Sequence, residues 1–465
     1  MLDLTTFTPW VLFSDLGIIT AMLLIGKLIR AKIKIVQKLF IPPSMIAGVL
    51  ALALGPNGTG WLPLSGSIAT YPAVLIAIVF GALPLSSPSV KAKEVGGRVG
   101  PMWAYAQFGM LFQWAIMGLF GLLVMKALWP NLHDAFGVML PTGFYGGHGT
   151  AAAIGAAFNG MGWEEAASLG MTTATIGVVI AIIGGLLFIK VAAKHKQTSY
   201  ISDFGDLPDE LRSGLLPTDK REASGTITTS PISIDSLTFH LAMVIVAAFG
   251  GYLISIGAKM FNPRLELPIF SCAFVVGLLL KLAFNKTKVS NYIDGKTTSS
   301  ISSAATDFLV AFGIASIKLS VVVKYAVPLA VLIVVGTALT IFTVFYFGRH
   351  LHKKDWFEKS LFAWGWWTGT MAMGIALLRI VDPKMSSKAM DDYALAYLPC
   401  APIEIILITL VPIMFSNGQG MPMMVGCLAL SLLVLAVAWR ARWWVKNGGR
   451  QNVQPHDGSS SCEGK

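Results

Sequence analysis

The amino-acid sequence predicts an all-α integral membrane protein of about eleven transmembrane helices: two inverted five-helix repeats, each with a re-entrant hairpin, plus one extra C-terminal helix. Three observations predict it. Of 465 residues, 55% are hydrophobic and only 13% charged, whereas a soluble domain runs about a quarter charged and cannot hide so much apolar surface. Apolar runs able to cross a hydrocarbon core of ~30 Å recur from end to end. Two further stretches, 139–162 and 360–380, are apolar but broken by glycine and threonine. Composition thus excludes a soluble enzyme, a disordered chain and a coiled coil.

Spans are expected at 10–29, 41–56, 67–84, 103–127 and 168–190, then at 237–257, 267–284, 303–322, 325–347, 395–415 and 423–440. The segment Met1–Trp10 carries no Lys or Arg, so the first span reads as retained rather than as a cleaved signal peptide. Each second span opens on proline and continues small and aliphatic, Ile41-Pro42-Pro43-Ser44 in one half and Leu267-Pro268-Ile269 in the other. The domains follow: a first repeat over 1–190 with its hairpin at 139–162, a polar cytoplasmic linker over 191–236, and a second repeat over 237–415 with its hairpin at 360–380. An extra span over 416–446 and a Gly/Ser-rich disordered tail, 447–465, complete the chain.

Five spans per half is an odd number, so the second half is expected to insert upside down relative to the first. Charge agrees. With the N-terminus outside, 30 of the 35 basic residues fall on the inner side, as the positive-inside rule requires of an N-out, C-in chain. The net charge of +11 then belongs to loops facing an anionic membrane surface, not to a nucleic-acid site. The four cysteines, Cys272, Cys400, Cys427 and Cys462, form no CxxC pair and indicate neither a disulfide framework nor a zinc site. No enzyme constellation is present: neither HExxH, nor GxSxG, nor a Walker lysine loop.

Inverted repeats with interrupted segments at matching places point to a secondary transporter whose site lies at the repeat interface. The sharpest local signal is Pro141-Thr142-Gly143-Phe144-Tyr145-Gly146-Gly147-His148-Gly149-Thr150. Each glycine costs a helix about 0.8–1 kcal/mol relative to alanine, and unwound backbone at membrane depth must line a cavity or be buried in protein. It offers free N–H groups and the positive end of a half-helix to an anion. Glycines that only packed would be spaced at i, i+4, not bunched. The mirrored segment, Trp364-Gly365-Trp366-Trp367-Thr368-Gly369-Thr370, breaks a helix with fewer glycines. Its three tryptophans read as an interfacial belt. The expected substrate-binding residues are Gly146, Gly147, His148, Gly149, Thr150, Thr368, Gly369 and Thr370. Thr172, Thr173 and Thr175 join them because they follow the first hairpin directly, although a bond to a carbonyl one turn back is their commoner role.

The run Gly146–Thr150, with Met171-Thr172-Thr173-Ala174-Thr175-Ile176-Gly177 and Gly184-Gly185 after it, resembles the bacterial sodium/glutamate symporter family. Members carry a Gly-Gly-His-Gly-Thr-Gly hairpin and then a span containing Ala-Thr-Phe-Gly-Leu. The resemblance covers roughly 10–415. It implies an inner-membrane homodimer that cotransports an acidic amino acid such as L-glutamate with Na⁺, the coupling ion, and needs no other cofactor. The family's second hairpin is richer in glycine and continues Gly-Ala-Thr-Pro-Thr-Ala; here Met371-Ala372-Met373-Gly374-Ile375-Ala376 stands in its place. Arg379 falls near the family's amide position and is a candidate partner for a substrate carboxylate. These departures bear on the substrate and the coupling ion, and leave the fold untouched.

Glu404 is an acid in an otherwise apolar span, where a carboxylate costs about 2.5–3.5 kcal/mol at the bilayer centre. It is a candidate Na⁺ ligand or proton carrier, with a structural ion pair as the rival role. Asp15 and Asp307 read as structural residues near span ends, Lys318 as a snorkelling side chain, and His240 as a satisfied interfacial histidine. The alternatives are an H⁺- or Na⁺-coupled carrier of another carboxylate such as citrate and, further off, a channel.

Overall fold

Side-chain caps mark several helix starts, with Thr8 before Pro9, Asp294 before Gly295 and Thr370 before Met371. The computed structural model describes residues 6–448 apart from 40, 87–98, 196, 199–212, 222, 262–266, 383–385 and 447; the expected disorder of the tail lies outside the described residues. Four helices, α1 (Pro9–Lys32), α2 (Pro43–Leu54), α3 (Tyr71–Ser86) and α4 (Gly100–Leu128), precede a broken pair, α5 (Met139–Gly143) and α6 (Gly147–Gly160), and then α7 (Glu165–Lys194). The order recurs with α8 (Ser236–Phe261), α9 (Ile269–Thr287) and α10 (Gly295–Ala315). After a short α11 (Leu319–Lys324) come α12 (Ala326–Leu351), a second broken pair α13 (Trp356–Thr368) and α14 (Met371–Val381), and α15 (Ala389–Ser416); α16 (Gly420–Arg440) is the addition.

Among the described residues, nine helices are long and apolar enough to cross a membrane. The two expected spans not among them are α2, which has twelve residues, and α10. The position of α10 corrects the expectation of 303–322. Asp294 caps it eight residues earlier, accepting from the Thr297 N–H at 2.8 Å and the Thr297 hydroxyl at 2.7 Å, as a helix start demands. Its Ser/Thr-rich first turns lower the hydropathy but not the helicity. Lys318 then lies beyond the end of α10, where it pairs with Glu164 at 3.7 Å, in place of the expected snorkel along a span.

The helices sort into two bundles. In the first, α1 packs on α2, α2 on α10, and α3 on α8, α9 and α10, through crossings so close that a Cβ on Gly48 would stand 2.7 Å from Ile314 and one on Gly277 2.5 Å from the Gly81 carbonyl oxygen. The second gathers α4, α7, α12, both broken pairs, α15 and α16 around the largest apolar cluster, with Trp114, Phe144, Trp364 and Trp367 at its centre. Each bundle takes matching parts from both halves of the chain: the first three helices for one, the rest for the other.

Two details repeat between the halves. In α1, buried Asp15 accepts from the Ser65 N–H at 2.9 Å and from the Tyr71 hydroxyl at 2.8 Å, pinning the start of α3. In α8, buried His240 accepts from the Asp294 N–H at 2.8 Å, pinning the start of α10. Both residues are satisfied structural groups, as expected. The second detail is a wide π turn near the end of each fourth helix, Gly121–Met125 in α4 and Thr343–Phe347 in α12.

Candidate functional site

The two helix breaks meet. Gly147 has φ +64°, a left-handed conformation that costs an L side chain about 1–2 kcal/mol, and a Cβ there would stand 3.2 Å from the Gly369 carbonyl oxygen. Both breaks rest on α7. A Cβ on Gly143 would collide with the Thr173 hydroxyl, and one on Gly177 with the Thr368 carbonyl. Glycine at these two places is what lets a straight helix carry both tips.

A cavity of about 270 Å³ lies at the tips, between the two bundles. The first bundle lines it with Ile76, Val79, Phe80 and Leu83 of α3 and Thr306 and Val310 of α10. The first break contributes Tyr145, Gly146, Gly147, His148, Gly149 and Thr150; the second contributes Trp366, Gly369, Thr370 and Met371; α15 adds Tyr397, Glu404 and Ile405. No side chain caps α6, so the N–H groups of Gly147, His148 and Gly149 open that helix without intrahelical acceptors. Thr370 caps α14, its hydroxyl accepting from the Met373 N–H at 3.3 Å. Two helix N-termini, each equivalent to roughly half a positive charge, therefore abut one cavity. Glu404 is its only carboxylate among the described residues, and the Tyr397 hydroxyl donates to its Oε2 at 2.9 Å.

The expected site residues divide accordingly. Gly146, Gly147, His148, Gly149, Thr150, Gly369, Thr370 and Glu404 are brought together around the cavity. Four threonines are not among its lining residues. Thr172 donates to Ser168 O at 2.7 Å, Thr173 to Met139 O at 2.8 Å, and Thr368 to Trp364 O at 2.6 Å. Thr175 donates to Met171 O at 2.8 Å, and its oxygen lies 3.2 Å from His148 Nε2. These hydroxyls hold α7 and the breaks in place; Thr173 ties α7 to the first turn of α5. Arg379 is not a lining residue either, since it sits in the last turn of α14, more than two turns from Thr370.

The tryptophan belt is overturned. Trp364, Trp366 and Trp367 are 0, 7 and 1% exposed. Because α13 is enclosed on every side, Trp364 donates to the Ala181 carbonyl at 2.9 Å, Trp367 covers Gly109, and Trp366 faces the cavity. Tyr145, Trp366, Tyr397 and Thr306 are lining residues that sequence reasoning missed. Tyr145 adjoins the glycine run, and Tyr397 lies seven residues before Glu404, two helical turns along one face; those were the available signals.

No curated protein matches the chain. A model of one protein family does, over residues 12–363, so the matched stretch ends inside α13 and the cavity residues from Trp366 onward lie beyond it. With three quarters of its length matched, the chain belongs to the sodium/glutamate symporter family.

Proposed function

We propose that this multi-pass membrane transporter carries glutamate with Na⁺ by alternating access, holding the substrate in the cavity where the two helix breaks meet. Membership of the family gives Na⁺-coupled transport of glutamate as the activity; the site and the mechanism are the proposal. One observation carries it: the glycine-loosened N-terminus of α6 and the Thr370-capped N-terminus of α14 abut one cavity at the seam between two bundles. A dicarboxylate cannot enter a low-dielectric interior uncompensated. Positive helix ends partly offset its charge, and co-bound Na⁺ offsets the remainder. Each net positive charge moved inward gains about 2.3 kcal/mol per 100 mV of membrane potential, so more cations than substrate charges make uptake run downhill.

In this reading the broken pairs are re-entrant hairpins entering from opposite faces, eleven spans cross the bacterial inner membrane N-out and C-in, and 191–236 is the cytoplasmic link between repeats. The protein works as a homodimer, as the family resemblance implies. The bundle holding both breaks moves against the one holding α3 and α10, opening the cavity to each side in turn. The test is uptake of labelled L-glutamate into proteoliposomes under separately imposed Na⁺ and H⁺ gradients. Accumulation with Na⁺ alone is expected; accumulation driven only by H⁺, or preference for a hydroxycarboxylate, rejects the reading.

A further inference from the structure

We propose that Glu404 anchors the α-ammonium group of the transported amino acid, so that the cavity selects amino dicarboxylates over dicarboxylates without nitrogen. This rests on the reading that the cavity holds glutamate. No lysine or arginine lines the cavity, and Glu404 brings its only carboxylate among the described residues. The 2.9 Å bond from Tyr397 holds Oε2 and leaves Oε1 for a ligand. Aromatic rings stand beside it: Trp366 lies 6.1 Å from Tyr397 and 4.9 Å from Tyr145, centroid to centroid, and all three line the cavity. A carboxylate that shares a cavity with three aromatic side chains suits an organic ammonium, which gains a charge-assisted hydrogen bond and can be attracted to any ring whose face it meets. A bare Na⁺ instead needs a shell of oxygens to replace its water. The N-termini of α6 and α14 supply the complementary part. Two positive ends and one negative group are the inverse of an amino dicarboxylate's own charges.

The experiment uses the full chain in proteoliposomes with an inward Na⁺ gradient. Uptake of labelled L-glutamate is competed by unlabelled glutarate and 2-hydroxyglutarate, which keep both carboxylates and lose the ammonium. Against wild-type protein both competitors are expected to be at least about a hundredfold weaker than glutamate, as for a site built around a buried polar partner. Glu404→Gln should raise the half-saturating glutamate concentration at least about tenfold, the effect of losing a hydrogen bond to a charged group. It should also bring glutarate within a few-fold of glutamate, with Na⁺ activation unmoved. Tyr397→Phe should shift the same ratio in the same direction by less. A displaced Na⁺ activation curve with the glutamate-to-glutarate ratio intact overturns the proposal, and so does a ratio unchanged in every variant. Should Glu404→Gln fail to fold, the ratio in Tyr397→Phe and Trp366→Phe decides. Wild-type protein that accumulates no glutamate under any gradient sinks the transport reading itself, a result separate from loss of selectivity alone.

Discussion

Gly147 concentrates the site's requirements in one position. Its φ of +64° excludes most side chains and its α-carbon faces the Gly369 carbonyl across the seam between the breaks. Gly147→Ala is expected to cut glutamate uptake by about tenfold, since the left-handed strain of about 1–2 kcal/mol must be met by moving one tip; Gly147→Leu, which also fills the cavity, should abolish it. Both variants should insert and remain folded by gel filtration in detergent. Undiminished uptake by the leucine variant would remove the meeting of the breaks from the mechanism. The glycine run was legible in the sequence because glycines bunched in an apolar segment break a helix, whereas packing alone calls for them at i, i+4. The roles of Thr172, Thr173, Thr175 and Thr368 were not: a threonine in a helix faces a cavity or its own backbone according to rotation, which composition does not record. For Trp366, a tryptophan facing lipid headgroups and one facing a cavity look alike in one dimension.

The lead-in to the first break shows how an element depends on a single protonation state. His133 precedes the turn Asp134–Val138, and its Nδ1 accepts from the Ala135 N–H at 3.1 Å while the ring stacks on Trp163 at 4.0 Å. Burial, and then the nearby Lys126 ammonium, hold its pKa below the ordinary 6.5. The folded state therefore prefers the neutral ring, whose Nδ1 accepts; the imidazolium only donates. The unfolded chain takes up the proton first as pH falls, so this stabilisation is full above about 6.5 and is lost progressively below it. Thermal stability should drop between about pH 7 and pH 5, and His133→Gln should flatten that slope; parallel pH curves for the two proteins would rule the cap out. At this scale hydropathy placed most helices to within a few residues. It misplaced α10, whose polar opening turns are helical because Asp294 caps them and not because they are apolar.

Across the whole molecule, an all-helical membrane protein was readable from the sequence, and the division into bundles was not. Most of the described helices are apolar, so hydropathy cannot say which neighbours share a bundle; that depends on the small-residue crossings at Gly48, Gly81, Gly251 and Gly277. Topology is testable at this scale. Cys272, Cys400 and Cys427 are all buried, and replacing Cys462 by serine leaves a quiet background for labelling. A cysteine at exposed Asn417 should react with an impermeant maleimide from outside intact cells, whereas one at Ser224 should react only after permeabilisation. The reverse pattern would invert the proposed orientation and the faces from which the two hairpins enter.

The π turns at Gly121–Met125 and Thr343–Phe347 have a steering effect. A π turn accommodates one residue more than a regular turn, and one residue of α-helix is about 100° of rotation. Beyond each such turn the chain runs on into a helix break, through Lys126–Leu128 in one half and Gly348–Leu351 in the other. The azimuth of Lys126–Leu128 and of Gly348–Leu351, the last helical residues before the chain turns toward each break, is thus set by the π turn. Excising a single codon from either π turn would swing the following segment off its heading while leaving every residue at the tip unchanged.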